Sequence, residues 1–204
     1  MRTTLLIAAL ASANLAGQSS ADVKVDNPKV RVIGVTDQPH QPGTMQEHPM
    51  GRVFIYLDAG KTTRTMPDGK VETIEYKAGD VRWNPPSTYK AENVSDHPVR
   101  IVVVEPKSKG PYSQSSTKLD PAALSPEHYR VEFENEQVRV FRVLFGPHTK
   151  GIIHEHILDR AVIQVKVSEG GKIKPGDASM SGYAIHIDSN DTDQPQERIA
   201  VELK

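Results

Sequence analysis

The sequence repeats itself, and this repetition limits the folds open to the chain more than any other feature. Residues 25–52 align without a gap with residues 133–160, so that residue 25 corresponds to residue 133 at an offset of 108. A second block, residues 79–107, aligns with residues 176–204 at an offset of 97. Because the offset falls from 108 to 97, the second copy is 11 residues shorter between its blocks. The chain is therefore a tandem duplication. The identical pairs include Asn27 and Asn135, Val30 and Val138, His40 and His148, His48 and His156, Arg52 and Arg160, Asn93 and Asn190, and Glu105 and Glu202.

Each copy shows the alternation of apolar and polar residues that is typical of β-strands. Val30 and Val32 alternate with polar neighbours, and a Pro-Asp-Gly tripeptide at residues 67–69 indicates a hairpin turn. The continuous apolar run at residues 101–104 predicts a strand that is covered on both faces. We therefore predict an all-β fold, in which each copy of about 75 to 85 residues has the size of a small barrel or sandwich.

The ends of the copies predict the domain organisation. Residues 1–21 combine an early arginine, a short apolar run and small residues, which is typical of a signal peptide cleaved after Ala21. The alternative, an amphipathic N-terminal helix, lacks a polar face between Leu5 and Ala11. Residues 108–128 are rich in Ser, Pro and Gly and predict a linker with one helical turn, capped by Asp120 and started by Pro121. The predicted domains are thus residues 22–107 and 129–204.

Composition narrows the classes of partner and site. Lys and Arg total 25 against 26 for Asp and Glu, a formal net charge of −1, which argues against a nucleic-acid partner. After the leader no apolar run approaches the roughly 20 residues of a membrane span, so we expect no membrane anchor and a periplasmic or secreted protein. The chain has no cysteine, which excludes disulfides, thiolate nucleophiles and iron–sulfur clusters. Any metal must be held by His, Asp, Glu or water.

Three histidines of the second copy are candidate metal ligands. His154 and His156 stand two residues apart, so on a strand both imidazoles point to the same face. His186 lies in the block that both copies share, and a third imidazole from another strand would leave coordination positions open for water or substrate. The alternative is that the three histidines only form hydrogen bonds inside the barrel.

At these residues the chain resembles a bicupin, a tandem pair of cupin jelly-roll barrels. Gly146, His154 and His156 resemble the first cupin motif. Residues 176–177 (Gly-Asp), His186 and Asn190 resemble the second, and the resemblance covers nearly all of residues 23–107 and 129–204. It implies two cupin-type barrels, the second shortened by about one hairpin. It also implies one divalent metal ion (Fe, Mn, Ni or Zn) held by His154, His156 and His186.

The departures from the cupin pattern carry predictions of their own. Arg160 or Ala161 stands where the family has a glutamate ligand, and Asp159 lies one residue early. We therefore expect an all-histidine site without a carboxylate, whose metal keeps its full positive charge and favours anionic substrates. In the first copy Gln46 and Tyr89 occupy two of the three ligand positions, so we expect no metal there.

Two other repeated pairs have structural explanations beside functional ones. His40 and His148 follow a proline in both copies, and we interpret them as structural turn residues. Arg52 and Arg160 recur as well; they indicate either a structural ion pair or a site for an anionic substrate, and we favour structure.

Three classes of function remain open. The first is a metal-dependent enzyme that oxidises or isomerises a small anionic molecule, as a dioxygenase or isomerase of the cupin type would. The second is a non-catalytic cupin that binds a small ligand or sugar, and the third is a structural module without a metal. Because two barrels in one chain resemble an intramolecular dimer, we expect a monomer or a homodimer.

Overall fold

The computed structural model describes residues 19–108 and 116–204. Most of the predicted signal peptide and part of the predicted linker lie outside these described residues. The strands are β1 (Ser20–Asp26), β2 (Val30–Asp37), β3 (Gln46–His48), β4 (Arg52–Tyr56), β5 (Gly60–Thr65), β6 (Val71–Tyr76), β7 (Val81–Asn84), β8 (Ser87–Asn93), β9 (Val99–Pro106), β10 (Tyr129–Glu134), β11 (Val138–Phe145), β12 (Thr149–Lys150), β13 (His154–His156), β14 (Arg160–Lys166), β15 (Ala178–Ser181), β16 (Ala184–His186), β17 (Ser189–Asn190) and β18 (Gln196–Leu203). The helix α1 spans Pro121–Leu124. We call residues 19–108 the first half and residues 116–204 the second half.

Each half contains a five-stranded antiparallel sheet, and the two sheets are equivalent strand by strand. Their orders are β1-β2-β9-β4-β7 and β10-β11-β18-β14-β15. The registers match too, since Val32 pairs with Val104 in one sheet and Val140 pairs with Val201 in the other. The first two strands of each sheet carry a β-bulge at the same relative position. Equivalent sequence therefore folds into equivalent sheets.

The second layer of each half differs in size. In the first half it is a four-stranded sheet of order β3-β8-β5-β6. In the second half it consists of the two-stranded pairs β13–β16 and β12–β17. The hairpin β5–β6 has no counterpart there, because residues 167–177 contain no strand. The predicted fold is confirmed: the chain is all-β, with two jelly rolls of which the second lacks one hairpin. Neither half closes into a continuous barrel.

The largest apolar core lies between the two halves. One face of each five-stranded sheet packs against the other sheet, and Trp83 of the first half approaches Phe133 of the second with ring centroids 6.5 Å apart. The opposite faces line the two interiors. Residues 101–104 alternate between these cores, as a doubly covered strand does. The fully buried residues of this shared core are Val30, Val32, Val53, Ile55, Val102, Val104, Val138, Val140, Ala161, Ile163, Ile199 and Val201.

A short strap, residues 117–125, crosses the second half before β10. Its helix α1 begins as the sequence predicts, because Oδ1 of Asp120 accepts from the amides of Ala122 and Ala123 at 3.0 and 3.2 Å. The same carboxylate forms a buried ion pair with Arg139. Among the described residues no helix is long and apolar enough to cross a membrane.

Candidate metal centre

The three predicted histidines come together on two paired strands. His154 of β13 lies directly opposite His186 of β16 in an antiparallel register, and His156 lies two residues farther along β13. Residues that face each other across strands, and residues two apart on one strand, share a face of the sheet. The ring centroids of His154 lie 4.5 Å from those of His186 and 5.1 Å from those of His156. One ligand nitrogen from each of the three rings lies within 4.8 Å of the others.

Hydrogen bonds at Nδ1 orient two of these rings. Nδ1 of His154 donates to the carbonyl of Ile152 at 3.0 Å, and Nδ1 of His156 donates to Oε1 of Glu202 at 2.8 Å. A proton held at Nδ1 leaves Nε2 with a free lone pair, which is the form that binds metal. Nε2 of His186 is buried and has no hydrogen-bond partner among the described residues. This buried nitrogen without a hydrogen-bond partner, beside two oriented imidazoles, fits a divalent metal ion.

Burial keeps the site in its metal-binding protonation state. It lowers the pKa of His156 to about 3, and the nearby Arg160 and the His154 ring lower it further. Burial also lowers the pKa of His186. Both imidazoles are therefore neutral at pH 7, as ligands must be. Behind them, burial raises the pKa of Glu202 to about 7.

A carboxylate that the sequence analysis did not expect lies beside the histidines. Oδ2 of Asp188 is 3.9 Å from Nε2 of His154 and 3.9 Å from Nε2 of His186. The converging ligand atoms belong to the three histidines alone, but the charge of Asp188 lies close enough to offset part of the charge of a bound ion. Burial raises the pKa of Asp188, but the hydroxyl of Tyr129 and the charge of Arg198 outweigh burial, so the net pKa lies below its usual value. The His-x-Asp spacing at residues 186–188 was the signal that could have found it, because residues two apart share a face.

Neither Arg160, at the glutamate position of the cupin pattern, nor Asp159, one residue before it, supplies the histidines with a carboxylate ligand. Asp159 forms an ion pair with Lys29 of the first half. Arg160 is buried, and its Nη1 donates to the carbonyl of Gly182 at 2.7 Å. Its guanidinium instead lines a cavity beside the site.

This cavity gives a small molecule access to the histidines. Its volume is about 230 Å³, and its wall includes His156, His186 and Asp188. Arg160 and Arg198 line it as well, so two guanidinium groups face the same space. Arginine pairs with planar carboxylates more specifically than lysine does. The electrostatics of the cavity therefore suit a small anion.

The equivalent place in the first half has a different chemistry. Gln46 lies opposite Tyr89, in the register of His154 and His186. Nη2 of Arg52 donates to the hydroxyl of Tyr89 at 2.6 Å, and the guanidinium of Arg64 lies 4.5 Å from the centre of the same ring. Of the three ligand positions only His48 holds a histidine. Burial lowers the pKa of His48 to about 4, and the charges of Arg52 and Arg64 add to this effect.

Comparison with solved structures shows which known fold this architecture matches. A cupin 2 conserved barrel domain protein from Leptotrichia buccalis superposes with a TM-score of 0.58 and 10% identity, covering 96% of this chain and 93% of that one. This chain has the cupin fold. A variant of Bacillus subtilis oxalate decarboxylase superposes with a TM-score of 0.61 and 8% identity, covering 94% of this chain and 78% of the enzyme. A further structure of that enzyme, from a study of its Mn(II) centres, superposes with a TM-score of 0.59 and 10% identity. It covers 90% of this chain and 72% of the enzyme. No protein-family profile matches the sequence, and no curated protein sequence matches it.

Proposed function

We propose that the second half binds one divalent metal ion through His154, His156 and His186, and that this cupin protein is a metal-dependent enzyme acting on a small anionic molecule. The observation that carries the proposal is the convergence of three imidazoles. Two of them are oriented through Nδ1, and the third has a buried Nε2 without a hydrogen-bond partner in the described part of the chain. Buried polar atoms of side chains that only stabilise a fold are normally hydrogen-bonded.

The ligand chemistry and the structural relatives narrow the choice of metal. Of the four candidate metals, imidazoles suit Fe, Ni and Zn, and a neighbouring carboxylate favours Mn. Asp188 supplies that carboxylate. Manganese is the first choice, because the related oxalate decarboxylase structure is described by its Mn(II) centres. When bound, the ion supplies Lewis-acid activation of a substrate oxygen or a redox partner for oxidation.

The residues around the cavity bind and orient an anionic substrate. Arg160 and Arg198 provide positive charge at the cavity wall, and Nη1 of Arg198 lies 3.6 Å from Oδ1 of Asp188. The hydroxyl of Tyr129 donates to Asp188, and burial raises the pKa of Tyr129, so this hydroxyl stays protonated. Asp188 is charged at neutral pH, because Tyr129 and Arg198 hold its pKa below the usual value. A small carboxylate or dicarboxylate is the substrate class that fits this arrangement, with oxidation or isomerisation as the reaction.

The rest of the organisation belongs to the same proposal. We infer that residues 1–21 are a cleaved leader and that residues 22–107 and 129–204 form the two domains of a periplasmic or secreted protein. The first half then serves as a partner barrel without a metal, because Gln46 and Tyr89 replace two imidazoles. The faces that the two halves bury against each other favour a monomer or a homodimer.

Metal analysis of variants tests the proposal. We expect the full chain to bind close to one divalent ion, and His186→Ala to lower its metal affinity at least about 10-fold. His48→Ala is the matched control, because His48 occupies the position of His156 in the first half; it should leave the stoichiometry unchanged. Equal metal content in the chain and in His186→Ala, with the same circular dichroism spectrum, would show that the histidines have a structural role only.

A second candidate function has an observation in its favour. The first half holds a larger cavity than the second, about 860 Å³ against about 230 Å³. Cavities of 300 to about 1,000 Å³ are typical of small-molecule sites. The protein would then bind a ligand in its first half whether or not the second half is catalytic.

A further inference from the structure

The large cavity of the first half has a clear origin in the duplication. The second half fills its interior with three aromatic side chains that pack together. At the equivalent positions the first half has smaller or polar residues: Ala21 for Tyr129, Ile33 for Phe141 and Asp37 for Phe145. All three replacements line the 860 Å³ cavity. The same sheet therefore encloses an open space in one half and a packed core in the other.

The strap closes this region in the second half. The amide of Glu155 donates to the carbonyl of Leu119 at 2.9 Å, and Ala122 packs against the aromatic core. Asp120 places its carboxylate on the guanidinium of Arg139, and both side chains are buried. The strap thus supplies the interior with an apolar contact and one negative charge.

Arg31 is the counterpart of Arg139 and lacks this charge. No ion pair joins Arg31 to a carboxylate within residues 19–108. Arg31 lines the cavity, and its Nε is buried without a hydrogen-bond partner among the described residues. An arginine nitrogen that is removed from water and left without an acceptor is costly. In the second half Asp120 neutralises the counterpart guanidinium through Nη1 and Nη2 of Arg139. The group that fits the equivalent place beside Arg31 is therefore a carboxylate.

The other charges that line the cavity are largely balanced. Nη1 of Arg52 lies 3.5 Å from Glu105, and Lys107 forms an ion pair with Asp26. Two further carboxyl groups at the wall belong to Asp37 and Glu47. They disfavour a ligand with several negative charges.

We propose that the first half binds a small monocarboxylate with an apolar body, whose carboxylate takes the place beside Arg31 that Asp120 takes beside Arg139. The apolar body lies against Ile33, Val35 and Val103, which line the same cavity. This site is distinct from the histidine site, both in its location and in the size and charge of its ligand.

Binding of 4-phenylbutyrate to the full chain, measured by titration calorimetry, tests the proposal. The neutral 4-phenylbutanol has the same body without the charge and should bind at least about tenfold more weakly, since a charged hydrogen bond is lost. Arg31→Met removes the guanidinium and should lower the affinity for 4-phenylbutyrate about tenfold or more. Arg100→Met is the matched control, because Arg100 forms its ion pair with Asp58 outside this cavity; it should bind as the parent chain does.

A second variant tests the location without removing a charge. Ile33→Phe installs the residue of the second half and should abolish binding by filling the cavity, while metal binding at His154, His156 and His186 stays unchanged. Three results would overturn the proposal: no binding by the full chain, equal affinity for the carboxylate and the alcohol, or unchanged binding in both Arg31→Met and Ile33→Phe with native circular dichroism spectra. Loss of metal binding alone would count against the proposed function and leave this site intact.

Discussion

Asn190 shows how one side chain organises the end of the second half that carries the candidate metal centre. Its amide nitrogen donates to the carbonyls of Gly146 and Gln194 at 2.8 Å each, and its Oδ1 accepts from the amide of Thr192 at 3.1 Å. Asn93 forms the equivalent hydrogen bond in the first half, where its amide nitrogen donates to the carbonyl of His97 at 2.9 Å. Repetition of this residue therefore reflects a buried turn rather than catalysis.

We expect Asn190→Ala to lower the free energy of unfolding by about 2–4 kcal/mol, because several buried backbone groups lose their partner. Urea unfolding followed by circular dichroism measures the change. Asp191→Ala alters the exposed neighbour and should change the free energy by less than about 0.5 kcal/mol. A loss below about 1 kcal/mol in Asn190→Ala would mean that water replaces the side chain.

His48 makes stability depend on pH in the first half. Its pKa is lowered to about 4 by burial and by Arg52 and Arg64, whereas an unfolded histidine titrates near pH 6.5. Between about pH 6.5 and 4, His48 is therefore protonated in the unfolded chain and neutral in the folded chain. The contribution of His48 is fully present above pH 6.5 and is lost as the pH falls toward 4.

We therefore expect the unfolding free energy of His48→Gln to fall less steeply between pH 6.5 and 4 than that of the parent chain. Denaturant titrations at several pH values measure the slope. His97→Gln, at an exposed position, is the control. Identical slopes in His48→Gln and the parent would show that the fold does not lower the pKa of His48.

At the scale of elements, the strap is held by tertiary contacts rather than by its own helix. The helix α1 has 4 residues, whereas isolated helices need about 12 or more to be even marginally stable. Asp120 provides both its cap and its anchor, since the carboxylate accepts from two amides and pairs with Arg139. The cap could be read from the sequence, but the ion pair joins residues 19 positions apart and could not.

We expect Asp120→Ala to lower the unfolding free energy by about 3–5 kcal/mol, because it leaves a buried guanidinium without its partner. Asp120→Asn keeps acceptors for the cap and should cost about 1 kcal/mol less than Asp120→Ala. Thermal and urea unfolding of both variants separate the two roles. Equal losses in the two variants would show that the cap contributes nothing.

The same scale explains why the histidines meet. The pairing of β13 with β16 sets His154 opposite His186, and the pleat sets His156 on the same face. In the first half the pairing of β3 with β8 has the same register but sets Gln46 opposite Tyr89. Equivalent strand pairs thus present different side chains to the interior: two histidines in the second half, and a glutamine and a tyrosine in the first.

For the molecule as a whole, the decisive feature is the core that both halves share. Twelve fully or almost fully buried residues from the two five-stranded sheets form one cluster. Separation of the halves would expose this apolar surface to water, at a cost of roughly 25 cal/mol for each Å². The two halves should therefore unfold together.

We expect Ile163→Ala, a change in the second half, to lower the unfolding midpoint reported by Trp83 in the first half. The substitution should cost about 2–5 kcal/mol. The fluorescence of Trp83, the one tryptophan of the sequence, reports the transition. Val71→Ala, at a residue that is 58% exposed, is the control and should leave the midpoint unchanged. An unaltered Trp83 transition in Ile163→Ala would show that the halves unfold independently.

The amino-acid sequence was sufficient for the all-β fold, the missing hairpin and the set of three histidines. The fold and the missing hairpin rest on local periodicity and on the internal repeat, whereas the choice of the three histidines rests on the resemblance to the two cupin motifs. Alternation along a strand indicates which residues share a face, and it can be recognised from neighbouring residues in the sequence alone.

Other features required the folded chain. Asp188 approaches His154 and His186 only because β13 and β16 pair. The open place beside Arg31 is recognised only by comparison with the ion pair of Arg139 and Asp120. The shared core likewise could not be read from alternation, since a valine-rich face is the same in sequence whether it covers an interior or another sheet. What covers a face, and which charges meet, depends on distances between segments far apart in the chain, and those distances are set by how the two sheets pack.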